Sequence, residues 1–345
     1  MDREECTPLR LVPRAPVRLK SHGPSAAIST ADVVTGAGGF IGSHLVERLL
    51  AQGQSVVGID CFDDYYDRAL KERHLAESRR NPKFRLVEQD LLGFDLATVL
   101  EPGCRVFHLA AQPGVRGSWG ANFDRYLRNN VLATQRLLEA AVRVRPHRIV
   151  YASSSSIYGE QPAGPTPETA TPNPVSPYGM TKLAGEHLAH AYAEAHRLSV
   201  VSLRFFTVYG PGQRPDMAFH RFIEATRAGR PVTLFGDGHQ TRDFTYVDDI
   251  VDGVLSAGRT EGIGGAFNLG GGTPAPITEV LRLLGEISGH PLKVQQGDAP
   301  PGDPRSTWAD TRRAREVLEF RPQVSLAEGL RRQWDWQTGA TTRQE

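Results

Sequence analysis

The chain has 345 residues, enough for one large α/β domain or two smaller ones, and 39% of them are hydrophobic, enough for a substantial core. Forty basic against thirty-nine acidic residues leave a formal charge of +1, which argues against a nucleic-acid or membrane-surface partner. Cys6, Cys61 and Cys104 form no C-x-x-C pair, and no metal ligand set is expected. No apolar run approaches the roughly 18 residues of a spanning helix. The acidic start "MDREEC" lacks the basic-then-apolar order of a signal peptide. A cytoplasmic protein with reduced thiols is expected.

Residues 1–27 are rich in Pro, Arg and Ser without periodicity and read as a mobile extension. From Ile28 onward, short apolar runs alternate with amphipathic stretches. Val33-Val34-Thr35, Ser55–Asp60, Phe84–Glu88, Arg105–Ala110, Arg148–Ala152 and Val200–Arg204 read as strands. Patterns near 42–53, 67–79, 122–143 and 177–196 read as helices. This alternation predicts an α/β fold, with a Rossmann-type doubly wound parallel sheet over residues 28–210. Beyond 210 the rhythm loosens into shorter elements (216–229, 247–258, 276–288, 325–336) separated by "GGGTPAP" and "GDAPPGDPR". A smaller C-terminal substrate-binding lobe over 211–336 is expected, with a tail at 337–345.

"TGAGGFIGSHL" follows the first strand and opens a helix. Gly36, Gly39 and Gly42 fit G-x-x-G-x-x-G, which allows a tight turn, close backbone approach to a pyrophosphate, and close helix–strand packing. A glycine-rich turn without a ligand is the alternative. The second strand ends in Asp60, where a carboxylate can accept hydrogen bonds from ribose hydroxyls and repel a 2′-phosphate, favouring NAD over NADP. Asp90 is either an adenine-edge neighbour or a surface aspartate.

Tyr178 and Lys182 in "SPYGMTKLAGEH" stand four apart at a helix start and share one face. A phenol titrates near 10, so it serves as a base at neutral pH only if a nearby ammonium favours the phenolate. Alone, Y-x-x-x-K is a weak signal. Here it joins a dinucleotide loop and the hydroxyls of "YASSSSIYG", of which Ser154 can donate to a developing alkoxide or carbonyl oxygen.

"TGAGGFIG", "HLAAQPGVRGSW", "SSSSIYG", "SPYGMTK", "RFFTVYGPGQRPDM" and "DGHQTRDFTYVDD" occur in order along residues 31–336. Together they resemble an extended short-chain dehydrogenase/reductase of the nucleotide-sugar epimerase/dehydratase group, most like the UDP-glucuronate 4-epimerases. The resemblance implies a tightly held NAD⁺, a catalytic set Ser154, Tyr178 and Lys182, and a UDP-sugar substrate. It also implies a homodimer through the helices near 122–143 and 177–196. It extends the cofactor site to Phe40, Ile41, Leu91, Leu109, Ala110, Ala111, Gln112 and Asn130. The chain departs from the pattern in Asp32, which stands for an apolar residue in the first strand, and in its longer N-terminal extension.

The resemblance also bears on the reaction. Related 4,6-dehydratases carry an Asp-Glu pair where this chain has Ser155 and Ser156, and uronate decarboxylases carry a Glu at the position of Ser156. Serine at both positions favours return of hydride to the other face of a 4-keto sugar, a 4-epimerase. "RFFTVYGPGQRPDM" and "VVGIDCFDDYYDRALK" resemble the UDP-glucuronate enzymes, whereas UDP-glucose 4-epimerases usually have Asn at Thr207. Ser155, Ser156 and Thr207 could cradle a C6 carboxylate, with Arg116 and Arg214 as supporting cations or ordinary ion-pair partners. Arg242 is expected at a phosphate and Asp303 or Arg305 at ribose or phosphate. Phe219 and Phe235 either line the base or belong to the core. The alternatives are a UDP-glucose 4-epimerase, a UDP-glucuronate decarboxylase and a non-catalytic NAD-binding regulator.

Overall fold

The computed structural model describes residues 30–298, 302 and 304–340. The extension expected at 1–27 and the end of the tail, 341–345, lie outside the described residues. Seven parallel strands form the main sheet: β1 (Asp32–Thr35), β2 (Val56–Asp60), β3 (Phe84–Glu88), β4 (Arg105–His108), β5 (Arg148–Ser154), β6 (Val200–Phe205) and β7 (Gly265–Leu269). Their spatial order is β3-β2-β1-β4-β5-β6-β7. β1, β2, β5 and β6 are buried along their whole length, as parallel strands covered on both faces must be. Asp32 is buried within β1 but pairs with Arg105 of neighbouring β4, whose Nε and Nη2 stand 2.8 and 2.5 Å from its carboxylate oxygens.

The helices are α1 (Phe40–Ala51), α2 (Arg68–His74), α3 (Phe123–Tyr126), α4 (Ala133–Val144), α5 (Pro177–His196), α6 (Ala218–Arg227), α7 (Val247–Arg259), α8 (Ile277–Ser288), α9 (Arg312–Val317) and α10 (Leu326–Thr338). α1 and α7 cover one face of the sheet through Leu45, Leu49, Ile250 and Val254. α4 and α5 cover the other through Leu137, Ala141 and Ala189. The helix expected over 122–143 is interrupted by a π-helical turn at Leu127–Leu132. Within that turn the Asn130 side chain accepts from Gln112 N at 2.6 Å and donates to Gln112 O at 3.0 Å and Thr181 Oγ1 at 2.9 Å.

Beyond residue 210 the chain builds three two-stranded pairs and returns once to the main sheet. Thr207–Tyr209 pairs with Phe244–Tyr246, Val232–Phe235 with Val294–Gly297, and Thr241–Arg242 with Ala275–Pro276. β7 lies parallel to β6 with Phe267 opposite Leu203. Its sequence, GAFNL, opens on glycine and carries a buried asparagine, and so lacks the apolar run by which the other strands read. No helix among the described residues is long and apolar enough to cross a membrane.

Gly185 fixes the distance between α5 and β5. A Cβ there would stand 2.1 Å from Tyr151 Oη and 3.3 Å from Asn130 O. Overpacking of this kind costs about 1–3 kcal/mol. Gly185→Ala should therefore lower the guanidinium midpoint by an equivalent of about 2 kcal/mol. An unchanged midpoint would mean that helix and strand separate freely.

Candidate active site

The chain runs to one side of β1 through β2 and β3, then crosses to the other side at β4. Loops leaving β1 and β4 therefore diverge and open a crevice at the strands' C-terminal ends. Gly36 turns at φ +71°, and a Cβ there would stand 2.8 Å from Ala110 N. A Cβ on Gly42 would stand 2.0 Å from Gly36 O. Gly39 caps α1 without a side-chain hydrogen bond, which leaves first-turn N–H groups for an anion. Asp60 closes the far end, accepting from Gly38 N at 2.9 Å, Phe62 N at 2.8 Å and Lys71 Nζ at 3.3 Å. A carboxylate has about four acceptor positions, so room remains for ribose hydroxyls. These groups fit a dinucleotide such as NAD. Phe40, Ile41, Asp90, Leu91, Leu109, Ala111, Gln112, Tyr178 and Lys182 line the same crevice. Asn130 does not line it, because its side chain is spent on holding the Gln112 backbone.

Pro177 and the Ser176 cap, whose Oγ accepts from Gly179 N at 3.1 Å, start α5 and place Tyr178 in its first turn. Tyr178 and Lys182 then face the crevice together. Burial raises the Tyr178 phenol, opposed by a hydrogen bond with Ser154 and the positive charge of Arg214. The Tyr126 ring stands edge-on to it at 6.3 Å. Burial pulls Lys182 down to about 7, with Glu186 opposing. Its Nζ lies 4.8 Å above the Tyr151 ring.

The four serines do different things. Ser153 Oγ donates to Glu186 Oε2 at 2.6 Å. Ser154 ends β5 and its Oγ accepts from Ser156 N at 3.1 Å. Ser155 and Ser156 form a half-buried 3₁₀ turn behind Ser154; of the four serines only Ser153 is among the residues lining the cleft. Thr207 does line it.

The crevice continues into a second cavity of about 830 Å³, with Tyr65 and Arg214 in the wall shared by both parts. Arg116, Arg214, Arg221, Arg230 and Arg242 line this part against the acids Asp216 and Glu224, a balance suited to a diphosphate. Arg116 stacks 4.3 Å above the Phe235 ring. Arg214 pairs with Asp216 at 2.9 Å, and Tyr65 Oη donates to the same carboxylate at 3.2 Å. Arg242 donates to Thr241 O at 2.8 Å. Phe219 is in the core: it packs 4.8 Å from Phe244 and 5.2 Å from Tyr209, because the inner face of α6 needs an apolar anchor. Arg305 is exposed, pairs with Asp237 at 3.3 Å and is not among the lining residues. Asp303 lies outside the described residues.

Residues 33–270 match the model of the NAD dependent epimerase/dehydratase family. The chain belongs to this family. It is 45% identical over 300 residues to YtcB of Bacillus subtilis (strain 168), an uncharacterized UDP-glucose epimerase, covering 86% of this chain and 95% of that one. It is 37% identical over 308 residues to the UDP-glucuronate 4-epimerase of Thermodesulfobacterium geofontis (strain OPF15), covering 88% and 95%. Among solved structures, the UDP-glucuronic acid 4-epimerase from Bacillus cereus in complex with UDP-glucuronic acid and NAD superposes with TM-score 0.87 at 43% identity, covering 90% of this chain and all of that one.

For this family member, sequence reasoning passed over Lys71, Tyr65 and Asp216 in the cleft wall. Lys71 had one signal, a lysine on α2 shortly after the acidic strand end. Two histidines near the crevice have their charge suppressed. His74 Nδ1 donates to Gly38 O at 3.2 Å, and burial pulls its pKa to about 4. His108 sits between Thr35 Oγ1 at 2.8 Å and Thr134 Oγ1 at 3.0 Å, pulled by burial to about 3.

An unfolded histidine takes up a proton near pH 6.5. Both sites resist that proton when folded, so stability is lost as pH falls below about 6.5, by about 1.4 kcal/mol per unit for each histidine. His74→Gln should flatten the slope of unfolding free energy between pH 6 and 4.5 by about that amount in denaturant titrations. An unaltered slope would mean that His74 protonates freely in the folded state.

Proposed function

We propose that this protein is an NAD-dependent 4-epimerase that converts UDP-glucuronate to UDP-galacturonate through a transient 4-keto sugar. The observation that carries this reading is the strand end itself. Ser154 ends β5 beside Tyr178, whose phenol faces the dinucleotide crevice with Lys182, and the next two residues are serines with no carboxylate to drive elimination. Bound NAD⁺ would take up hydride from C4 and give it back. Gly36, Gly39 and Gly42 would hold its pyrophosphate and Asp60, with Lys71 behind it, a ribose.

Tyr178 removes the O4 proton from the sugar and restores it on the other face. Ser154 donates to O4 as it becomes a carbonyl oxygen. Lys182 lends positive charge to the phenolate, and Arg214 adds to it from the cleft wall. The arginines of the second cavity hold the diphosphate, and Phe235, under Arg116, receives the base. Thr207, in the cavity wall, meets the C6 carboxylate. The likeness to the Bacillus cereus enzyme supports the uronate; the likeness to YtcB favours UDP-glucose as a second reading. Leu127, Leu132 and Met180 are 44%, 41% and 53% exposed on the π-helical turn and α5, which supports a homodimer through this face. The free thiols of Cys61 and Cys104 support a cytoplasmic location.

Tyr178→Phe should lower kcat by about 10²–10⁴-fold, the worth of a general base, while substrate affinity stays nearly constant. Turnover within threefold of the parent enzyme would remove Tyr178 from the reaction.

A 4-keto uronate is a β-keto acid and loses CO₂ when its carboxylate bond stands perpendicular to the carbonyl plane. Hydrogen bonds to a charged group contribute about 1.5–3 kcal/mol each and can hold the carboxylate out of that geometry. NMR of products from UDP-glucuronate should show UDP-galacturonate with almost no pentose, and UDP-glucose should react far more slowly. Thr207→Ala should bind the uronate more weakly and release UDP-pentose, whereas Ser155→Ala, behind the cleft wall, should do neither. Preferred turnover of UDP-glucose would overturn the uronate reading; unchanged affinity and product purity in Thr207→Ala would remove Thr207 from the carboxylate.

A further inference from the structure

Behind the candidate site lies a buried polar network that the proposed reaction does not use. Glu186 stands one turn beyond Lys182 on the same face of α5. Its carboxylate accepts from Ser153 Oγ at 2.6 Å and from Arg204 of β6 at 2.5–3.2 Å. Arg204 Nη1 also donates to Tyr158 Oη at 2.6 Å and Glu168 O at 2.9 Å. Tyr158 Oη donates to Asn268 Oδ1 of β7 at 2.7 Å. Carboxylate and guanidinium are almost fully buried.

The groups around Lys182 leave its charge poorly supported. Tyr178 precedes it on α5, and Tyr151 of β5 lies beneath its ammonium, with a phenol that burial keeps neutral. His108 of β4 is near enough to feel its charge and is itself held neutral. Arg214 and Tyr126 approach Tyr178 from the cleft wall and from α3. Arg204 faces Glu186 from β6. Glu186 is the negative group that opposes the desolvation of Lys182.

We propose that Glu186 is a positioning residue for the epimerisation: anchored by Ser153 and Arg204, its carboxylate keeps Lys182 protonated and thereby keeps Tyr178 able to serve as the base. This rests on the epimerase reading. Two opposed consequences follow. Removing the Glu186 charge lowers the pH at which Lys182 deprotonates and raises the pH at which Tyr178 ionises, so the active pH range narrows from both sides. Removing the Arg204 charge leaves Glu186 unopposed and moves both the other way. A pair acting on Tyr178 only through its own field would give the reverse order, Glu186→Gln lowering the transition and Arg204→Met raising it.

The experiment uses the NAD⁺-loaded enzyme. Tyr178 ionisation is read as the ultraviolet difference between each variant and the same variant carrying Tyr178→Phe, without any substrate. The kcat–pH profile with UDP-glucuronate is measured alongside. Glu186→Gln, which keeps the hydrogen-bonding shape, should raise the Tyr178 transition by about one pH unit and draw in the alkaline limb of kcat. Arg204→Met should shift both in the opposite sense, and Glu186→Asp should restore the parent values. If Glu186→Gln does not fold with Arg204 left unpaired, Glu186→Gln combined with Arg204→Met removes both charges; because Glu186 and not Arg204 acts on Lys182 directly, a smaller rise of the Tyr178 transition should remain. Unmoved transitions in folded variants, shifts of the same sign for Glu186→Gln and Arg204→Met, or a fall for Glu186→Gln with a rise for Arg204→Met, overturn the proposal. Absence of turnover in the parent enzyme sinks the epimerase reading instead, while the substrate-free titration still reports on Glu186.

Discussion

Backbone contact between the first turn and the fourth strand governs the molecule. Gly36 lies so close to Ala110 that no side chain fits between them, and this is where the sheet changes direction. Strands on one side of that line supply the Asp60 end of the crevice, and strands on the other supply Ser154 and, through α5, Tyr178 and Lys182. The distance between nucleotide-binding and reacting ends is thus set by strand spacing, about 4.8 Å per strand, and not by loops. A rigid spacing of this kind is what a hydride-transfer site needs, since small misplacements cost large factors in rate.

Three buried ion pairs, Asp32–Arg105, Asp60–Lys71 and Glu186–Arg204, each tie neighbouring elements of the sheet region. Asp60, Glu186 and Arg204 make further hydrogen bonds besides the pair. Such pairs add little net stability over apolar packing, but breaking one leaves a buried charge unmatched. Their effect is to make register costly to change. Asp32, an oddity in an apolar strand, is explained by this: its partner lies in the adjacent strand, where Val33 pairs with Val106.

Most strands of the main sheet and the helices around them were legible because burial on both faces writes apolar runs into the sequence; the edge strand β3 was legible from its alternation. The glycine turn and the Tyr178–Lys182 spacing were legible because both are local, fixed by one turn or one helix period. What escaped depends on long-range packing. Lys71 meets Asp60 only after the loop at residues 61–67 folds back, and Arg204 meets Glu186 only across a strand and a helix. Phe219 was ambiguous because an aromatic on a helix can point either way until Tyr209 and Phe244 claim it. β7, with a glycine at its start and an asparagine inside, carries no apolar run to announce it, and Ser155 and Ser156 could be placed on a strand end but not aimed.

The π-helical turn at Leu127–Leu132 holds one more residue in its loop than an α-helical turn would. Since an α-helix advances about 100° per residue, the turn acts as a phase shifter between α3 and α4. It lets α4 bury Leu137 and Ala141 against the sheet while α3 presents Tyr126 to Tyr178 and its carbonyl-bound hydroxyl to Pro113 and Gly114. Losing a single residue there would rotate one half against the other by a quarter-turn and more. Chain length in this segment is therefore constrained independently of residue identity, and a homologous chain that lacks the extra residue must build this wall of its cleft from different side chains.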